Sequence, residues 1–257
     1  MTISDDGTTL ITAGEDRKVR LWGIENGAQI AAFDSGTGTI GALDIGPTGQ
    51  FLLSGGSDGH VRVWEAATGT AVETFSGHAG AVTAVRFGAD ETEAYSAGND
   101  TTVRYWRIGD AHPVRLYDGA AAPVTSIALD ATFERLGAGL ADGTVVVWDT
   151  DGSHPVRTTK AHQGRVSALT FDVGAERAIS AGEDAITKIW SLKSGTLILQ
   201  LVSTKNGWAV VDDAGRFDGS NTALNDVQWV TVTQALPIDH FSDDYYEPGL
   251  LHKKRLG

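Results

Sequence analysis

The chain contains no cysteine. Disulfides and thiolate zinc sites are therefore excluded. It also lacks any apolar run approaching the roughly 20 residues that span a bilayer. The opening, MTISDDGTTL, has neither a charged n-region nor an apolar h-region, so no signal peptide is legible in it. Basic residues are scarce: 20 Lys and Arg stand against 33 Asp and Glu, a formal net charge of −13. Such a surface repels phosphate backbones and anionic lipid, which argues against nucleic-acid or membrane partners. The cytoplasm is the default compartment, or the periplasm if the natural N-terminus lies upstream. What is present is the composition of a folded protein, with 41% hydrophobic residues in a chain of 257. That length suffices for one large all-β core.

Within it, five tryptophans recur every 42 residues: Trp22, Trp64, Trp106, Trp148 and Trp190. Five aspartates keep the same step, each six residues earlier: Asp16, Asp58, Asp100, Asp142 and Asp184. A period of this size is the mark of a repeat architecture. The unit Ser76 to Tyr117 reads as four short strands. They are an apolar stretch over Val82–Phe87, a buried strand at Ala94–Ala97, an alternating strand Thr102–Trp106, and Val114–Tyr117. Polar turns separate them about every ten residues, as four-stranded units require. The third strands carry Val19, Val61, Val103, Val145 and Thr187 on one face. Arg20, Arg62, Arg104, Val146 and Lys188 fall on the other. Alternation assigns the first set to the core and the basic column to an ordinary solvated face.

These residues resemble the WD-repeat propellers. The resemblance rests on Gly-His, Ser/Thr, Asp and Trp at fixed offsets, complete in two units: His78, Ser96, Asp100, Trp106 and His162, Ser180, Asp184, Trp190. In that family the four side chains form a hydrogen-bonded network within the blade. The other units are degenerate. Gly36 and Ala120 stand in place of histidine and Ala138 in place of the hydroxyl, although Asp16, Trp22, Asp58, Trp64, Asp142 and Trp148 hold their places. The expected fold is all-β, a WD-type β-propeller of five four-stranded repeats plus a partial sixth blade. The repeats fall at about 1–34, 35–76, 77–118, 119–160 and 161–202, together 1–202. Residues 203–257 form a divergent partial blade and tail of the same domain.

Gly207-Trp208-Ala209-Val210-Val211 stays in phase with the first strand of a sixth unit, and then the pattern breaks. The stretch GWAVVDDAGRFDGS followed by DDYYEPGLL resembles a segment in bacterial multidomain proteins, where it follows WD repeats and often precedes a caspase-like peptidase or other module. The chain opens directly in a first strand and stops in a short basic stretch, His252–Arg255. Both features predict a fragment of a larger propeller. Closure of five or six blades in this chain alone is the alternative.

Gly55-Gly56-Ser57-Asp58-Gly59 matches a hydrolase nucleophile pattern, but it falls in a strand-to-strand turn where the required strand-to-helix elbow is missing. The seven histidines show no metal-ligand spacing. No catalytic, metal or cofactor residue is assigned, and no cofactor is expected. The five aspartates could ring a cation, although bonding within each blade is the expected role. Asp243–Glu247 reads equally as a partner-docking run or as a segment whose Tyr245 and Tyr246, with Leu250, pack the tail onto a blade. The resemblance implies a non-catalytic scaffold that binds proteins or peptides through its loops. Arg17, Lys18, His60 and Arg165 are the candidate partner contacts, with acidic peptides as the class. A regulatory half of a multidomain protein is the second reading, and an enzyme with a central-channel site the third.

Overall fold

The computed structural model of the chain describes residues 1–36, 38–110, 112–174, 176–205, 207–220, 228–230, 235–237, 248 and 250. These form a succession of antiparallel sheets, each a meander whose strands neighbour one another in chain order. The first contains Thr2–Ile3, Thr9–Ala13, Lys18–Gly23 and Gln29–Asp34. The second contains Ile40–Ile45, Phe51–Gly56, His60–Glu65 and Ala71–Ser76. The third contains Val82–Phe87, Glu93–Gly98, Val103–Arg107 and Arg115–Tyr117. The fourth contains Val124–Leu129, Arg135–Leu140, Thr144–Asp149 and Arg157–Lys160. The fifth begins with Val166–Phe171, Arg177–Gly182, Ile186–Ser191 and Leu197–Thr204. This is the β-propeller arrangement that the 42-residue period predicts.

Successive sheets pack face to face, with their first strands next to one another. Threonine hydroxyls knit these strands together. The Thr83 hydroxyl lies 3.1 Å from the Ala97 carbonyl of its own sheet and 2.6 Å from the Val124 carbonyl of the next. One unit later, the Thr125 hydroxyl lies 2.9 Å from the Gly139 carbonyl and 2.5 Å from that of Val166. A sheet covered on both faces has little use for polar alternation in its central strand. Glu93–Gly98 and Arg135–Leu140 are accordingly buried at every residue after the first. Three of the four joints also pack an aromatic ring of the fourth strand against the tryptophan of the following sheet; the fourth strand Arg157–Lys160 has no ring to offer Trp190. Phe33 meets Trp64 at 5.2 Å between centroids, Phe75 meets Trp106 at 4.9 Å, and Tyr117 meets Trp148 at 5.8 Å. The core is therefore layered between sheets, and Trp106 and Trp148, fully buried, sit in its middle.

Two expectations are corrected by the geometry. The basic column is not a solvated face. Arg62 and Arg104 keep only 13% of their side chains exposed, because the neighbouring sheet covers that side as well, and Val146 is wholly buried. The stretch Gly207–Asp212 does not begin a sixth sheet. It pairs with Leu197–Thr204, in register from Leu199↔Asp212 to Thr204↔Gly207, and Phe217–Gly219 adds beyond it. The fifth sheet thus has six strands. The cause is local. Earlier units leave five or six residues between a fourth strand and the next first strand, as from Ser76 to Val82. Here the fourth strand runs on to Thr204 and only residues 205–206 intervene. A two-residue connection makes a hairpin and cannot carry the chain back to the inner edge of a new sheet.

Gln228–Val230 and Ala235–Pro237 pair as a separate two-stranded ribbon. Leu250 is buried against Leu199 and Val210 of the extended sheet. Asp226, the acidic run 243–247 with its two tyrosines, and His240 and His252 lie outside the described residues.

Candidate functional site

The repeated polar residues converge at one end of each sheet, where the turn between second and third strands meets the loop entering the first strand. In the third sheet the Trp106 indole N–H donates to Ser96 Oγ at 2.7 Å. Ser96 Oγ lies 2.7 Å from His78 Nε2, and His78 Nδ1 lies 3.0 Å from both Asp100 oxygens. Directionality assigns the protons. The indole can only donate and the carboxylate can only accept. The chain therefore runs from Trp106 N–H to Ser96, from Ser96 O–H to Nε2, and from Nδ1–H to Asp100, with a neutral imidazole. Burial, the largest influence, lowers the His78 pKa below its usual value and outweighs the opposing pull of Asp100.

Asp100 takes further donors: the Ala79 amide at 2.9 Å, the Thr102 amide at 3.2 Å and the Thr102 hydroxyl at 2.8 Å. Burial acts to raise its pKa, but the bonds from His78 and the Ala79 amide prevail and hold the carboxyl below the ordinary range. The fifth sheet repeats the arrangement. Trp190 donates to Ser180 Oγ at 3.0 Å, His162 Nε2 lies 2.8 Å from that oxygen, and His162 Nδ1 lies 2.9 Å from Asp184. The Gln163 amide reaches Asp184 at 3.1 Å. Burial again acts upward on Asp184 and is overcome by the Gln163 amide and His162, which leaves its pKa lowered.

Units without histidine solve the same problem differently, and here the basic column finds its role. In the second sheet Trp64 still donates to Ser54 at 2.8 Å, but Gly36 supplies no ring. The Arg62 guanidinium takes the carboxylate instead, at 2.7 Å and 3.3 Å from the two oxygens of Asp58. In the first sheet Trp22 donates to Thr12 at 2.8 Å and Arg20 pairs with Asp16 at 2.6 Å. Arginine serves because the residue four beyond the aspartate lies across the turn and its planar fork matches a carboxylate. The column serves beside a histidine as well: in the third sheet the Arg104 guanidinium lies 3.6 Å from Asp100, which His78 also holds. In the fourth sheet Ala138 leaves no hydroxyl, and the Trp148 indole donates to the Asp118 carbonyl at 2.8 Å. Asp142 caps its own turn through the Thr144 amide at 2.9 Å, and Lys160 donates to its backbone carbonyl. Each of the five aspartates thus bonds within its own turn region, with no shared cation needed to hold them.

The remaining candidates sit around these turns. Arg17 and Lys18 are exposed at the turn of the first sheet, with Arg17 at φ 61°. His60 is half-buried, with Nδ1 3.5 Å from Asp58. Arg165 is exposed on the loop entering the fifth sheet, where its carbonyl accepts from the Glu183 amide at 2.9 Å. All four lie at the same end of their sheets, but on three different sheets. Along the first strands runs a cavity of about 290 Å³, lined by residues such as Gly41, Thr83 and Thr125. Among the described residues that line it, the one ionisable side chain is Arg86, which is paired with Asp44 at 3.0 Å. No acid–base pair of the kind that catalysis requires converges there.

Comparison with curated proteins gives no match. Comparison with family models gives one over residues 1–220, described as "Nucleolar protein 10-like, N-terminal domain", a β-propeller. The match runs through Gly207–Ser220, and so takes in the first part of the segment likened to bacterial multidomain proteins. With five repeats, inter-sheet aromatic joints and a family match over most of its length, the chain belongs to the nucleolar protein 10-like N-terminal β-propeller family.

Proposed function

We propose that the chain is a non-catalytic scaffold that presents its turn-and-loop end to protein or peptide partners. The supporting observation is how its polar groups are used. The buried histidines and aspartates are consumed in holding turns, and this fixes the backbone from which exposed side chains project. Binding loops on a rigid frame are the usual result of such construction. The exposed Arg17, Lys18 and Arg165, with His60 beside them, are the contacts we assign, and acidic segments are the partner chemistry. On a surface of net charge −13, these are places where an acidic partner meets local attraction.

The test compares proteins retained from a cell extract by the wild-type chain and by a triple charge reversal, Arg17→Glu, Lys18→Glu and Arg165→Glu. All three side chains are exposed, so the fold should be unaffected. Loss of a specific partner in the triple variant is expected. A partner retained at full strength by both proteins removes these residues from the site. An absence of any specific partner for the wild-type chain removes the scaffold reading.

A further inference from the structure

A groove of about 750 Å³ separates the fourth and fifth sheets at the end opposite the aspartate turns. It lies in the size range of ligand-binding clefts. Its rim is built from six ionisable positions: Arg135, Asp149, Arg157, Glu176, Arg177 and Lys193. The repeat makes a comparison available, because the same positions recur at the other joints. Shifted back by one unit they read Glu93, Arg107, Arg115, Glu134, Arg135 and Asp151, three acids and three bases. Shifted back by two they read Phe51, Glu65, Glu73, Thr92, Glu93 and Gly109, three acids and no base. The joint with the open groove carries four bases and two acids, on a chain with far more acid than base.

We infer that this groove is a docking site for an acidic, extended peptide that also carries apolar side chains. It adds a second surface to the scaffold reading and rests on it. Three features select the occupant. The excess of positive charge is complementary to acid. Val156, Leu192 and Ile198 line the groove as well, so a chain alternating acidic and apolar side chains matches both kinds of lining. Asp149 and Glu176 interrupt the bases, and among the described residues no aromatic ring lines the groove for base stacking, both of which disfavour a nucleic-acid strand. Arg157 is held in place for the purpose, with its guanidinium 3.2 Å from the Ser194 carbonyl and 3.3 Å from that of Lys193. Arg135 is anchored by Asp149 across the strand pair. Lys193 is exposed at the lip.

The experiment uses the full chain and a fluorescent peptide that alternates glutamate with leucine, read by anisotropy. A lysine-for-glutamate peptide and a single-stranded RNA serve as competitors. Lys193→Glu and Arg157→Glu should each weaken peptide binding by about tenfold, the scale of one well-placed interfacial charge pair. Arg107→Glu, an exposed charge reversal outside the groove, should leave it unchanged. Thermal melts check that each variant is folded, and Lys193→Glu alone decides the matter if Arg157→Glu is not. Equal binding of the lysine peptide, equal weakening by Arg107→Glu, or displacement by the RNA would each overturn the proposal. If the peptide fails to bind while the wild-type chain still retains its partners, the groove assignment falls and the scaffold stands. If no partner is retained either, the scaffold reading falls with it.

Discussion

Gly59 lies directly under the carbonyl of His78: a Cβ built on it would stand 2.6 Å from that oxygen. Gly143 has the same relation to His162, at 2.2 Å. The equivalent positions in the other units are Arg17, Thr101 and Ala185, and all five have positive φ, from 61° to 91°. The glycines occur where the following loop delivers a histidine to its network. Where the following unit lacks that histidine, a side chain is accepted at the cost of a left-handed backbone.

Gly59→Ala and Gly143→Ala should therefore destabilise the chain, since strain of about 1–2 kcal/mol in the left-handed region is joined by the collision with the carbonyl. Ala185→Gly meets no such neighbour and should change stability by less than about 1 kcal/mol, because relief of strain is offset by chain entropy. Urea unfolding midpoints of the three variants measure the contrast. Equal effects at positions 59 and 185 would show that the carbonyl contact is immaterial.

The stacked pair Phe75 and Trp106, with ring planes 20° from parallel, closes the joint between the second and third sheets. Phe75 is 1% exposed and Trp106 wholly buried. Phe75→Ala removes a ring from a site that cannot collapse without moving a sheet. A loss of about 3–5 kcal/mol is expected. Phe33 makes the equivalent contact with Trp64 while only partly buried, so Phe33→Ala should cost less. Thermal or denaturant unfolding of the two variants gives the ranking, and the reverse order would contradict a layered core centred on the middle sheets.

Acid should weaken the fold in two stages. His78 has a folded pKa below its unfolded value of about 6.5. The unfolded chain binds the proton first, so stability falls as pH drops through 6.5 towards the folded pKa. Protonation would also force Nε2 to donate to Ser96, which already accepts from Trp106, and the serine proton would lose its acceptor. Asp100 and Asp184 have folded pKa values below the unfolded one. Their contribution is present above about pH 3.9 and is lost as pH falls through the folded values. Urea midpoints recorded against pH should show the first decline in the wild-type chain, and His78→Gln should flatten it. A variant with an unchanged slope would mean that His78 does not carry the effect.

The Ala138 position offers a check on the degenerate units. It is wholly buried, Ala120 supplies no imidazole, and the Trp148 indole is already satisfied by the Asp118 carbonyl. Ala138→Ser restores the family's hydroxyl without its acceptor. It should destabilise by about 1–3 kcal/mol, the cost of an unpaired buried hydroxyl. A stabilised variant, measured by unfolding, would mean that the indole turns back to serine.

Much of this was legible because the repeat is gapless. Trp and Asp at a step of 42 gave the register of every sheet, and four strands per unit followed from the turns. The two histidine networks could be read for the same reason, since each needs only fixed offsets. The arginine column was misread because strand alternation was applied as though one face met water. In a stack of sheets both faces are covered, and a charge there must find a partner, as Arg62 does with Asp58. The pairing of Leu197–Thr204 with Gly207–Asp212 escapes a reading that follows phase alone. Residue 208 has the phase of a first strand, but the strand before it runs on into the space of the connecting loop. The groove beside Lys193 depends on which side chains meet across a joint, and no single unit contains that information.

The most direct test of the scaffold account is amide hydrogen exchange on the chain, free and saturated with a protein partner retained from the extract. The account predicts new protection at the turns and loops around residues 16–18, 58–60 and 163–165, with the first strands unchanged. Protection confined to the first strands that line the axial cavity, at Gly41, Thr83 and Thr125, would contradict it and move the function to the interior.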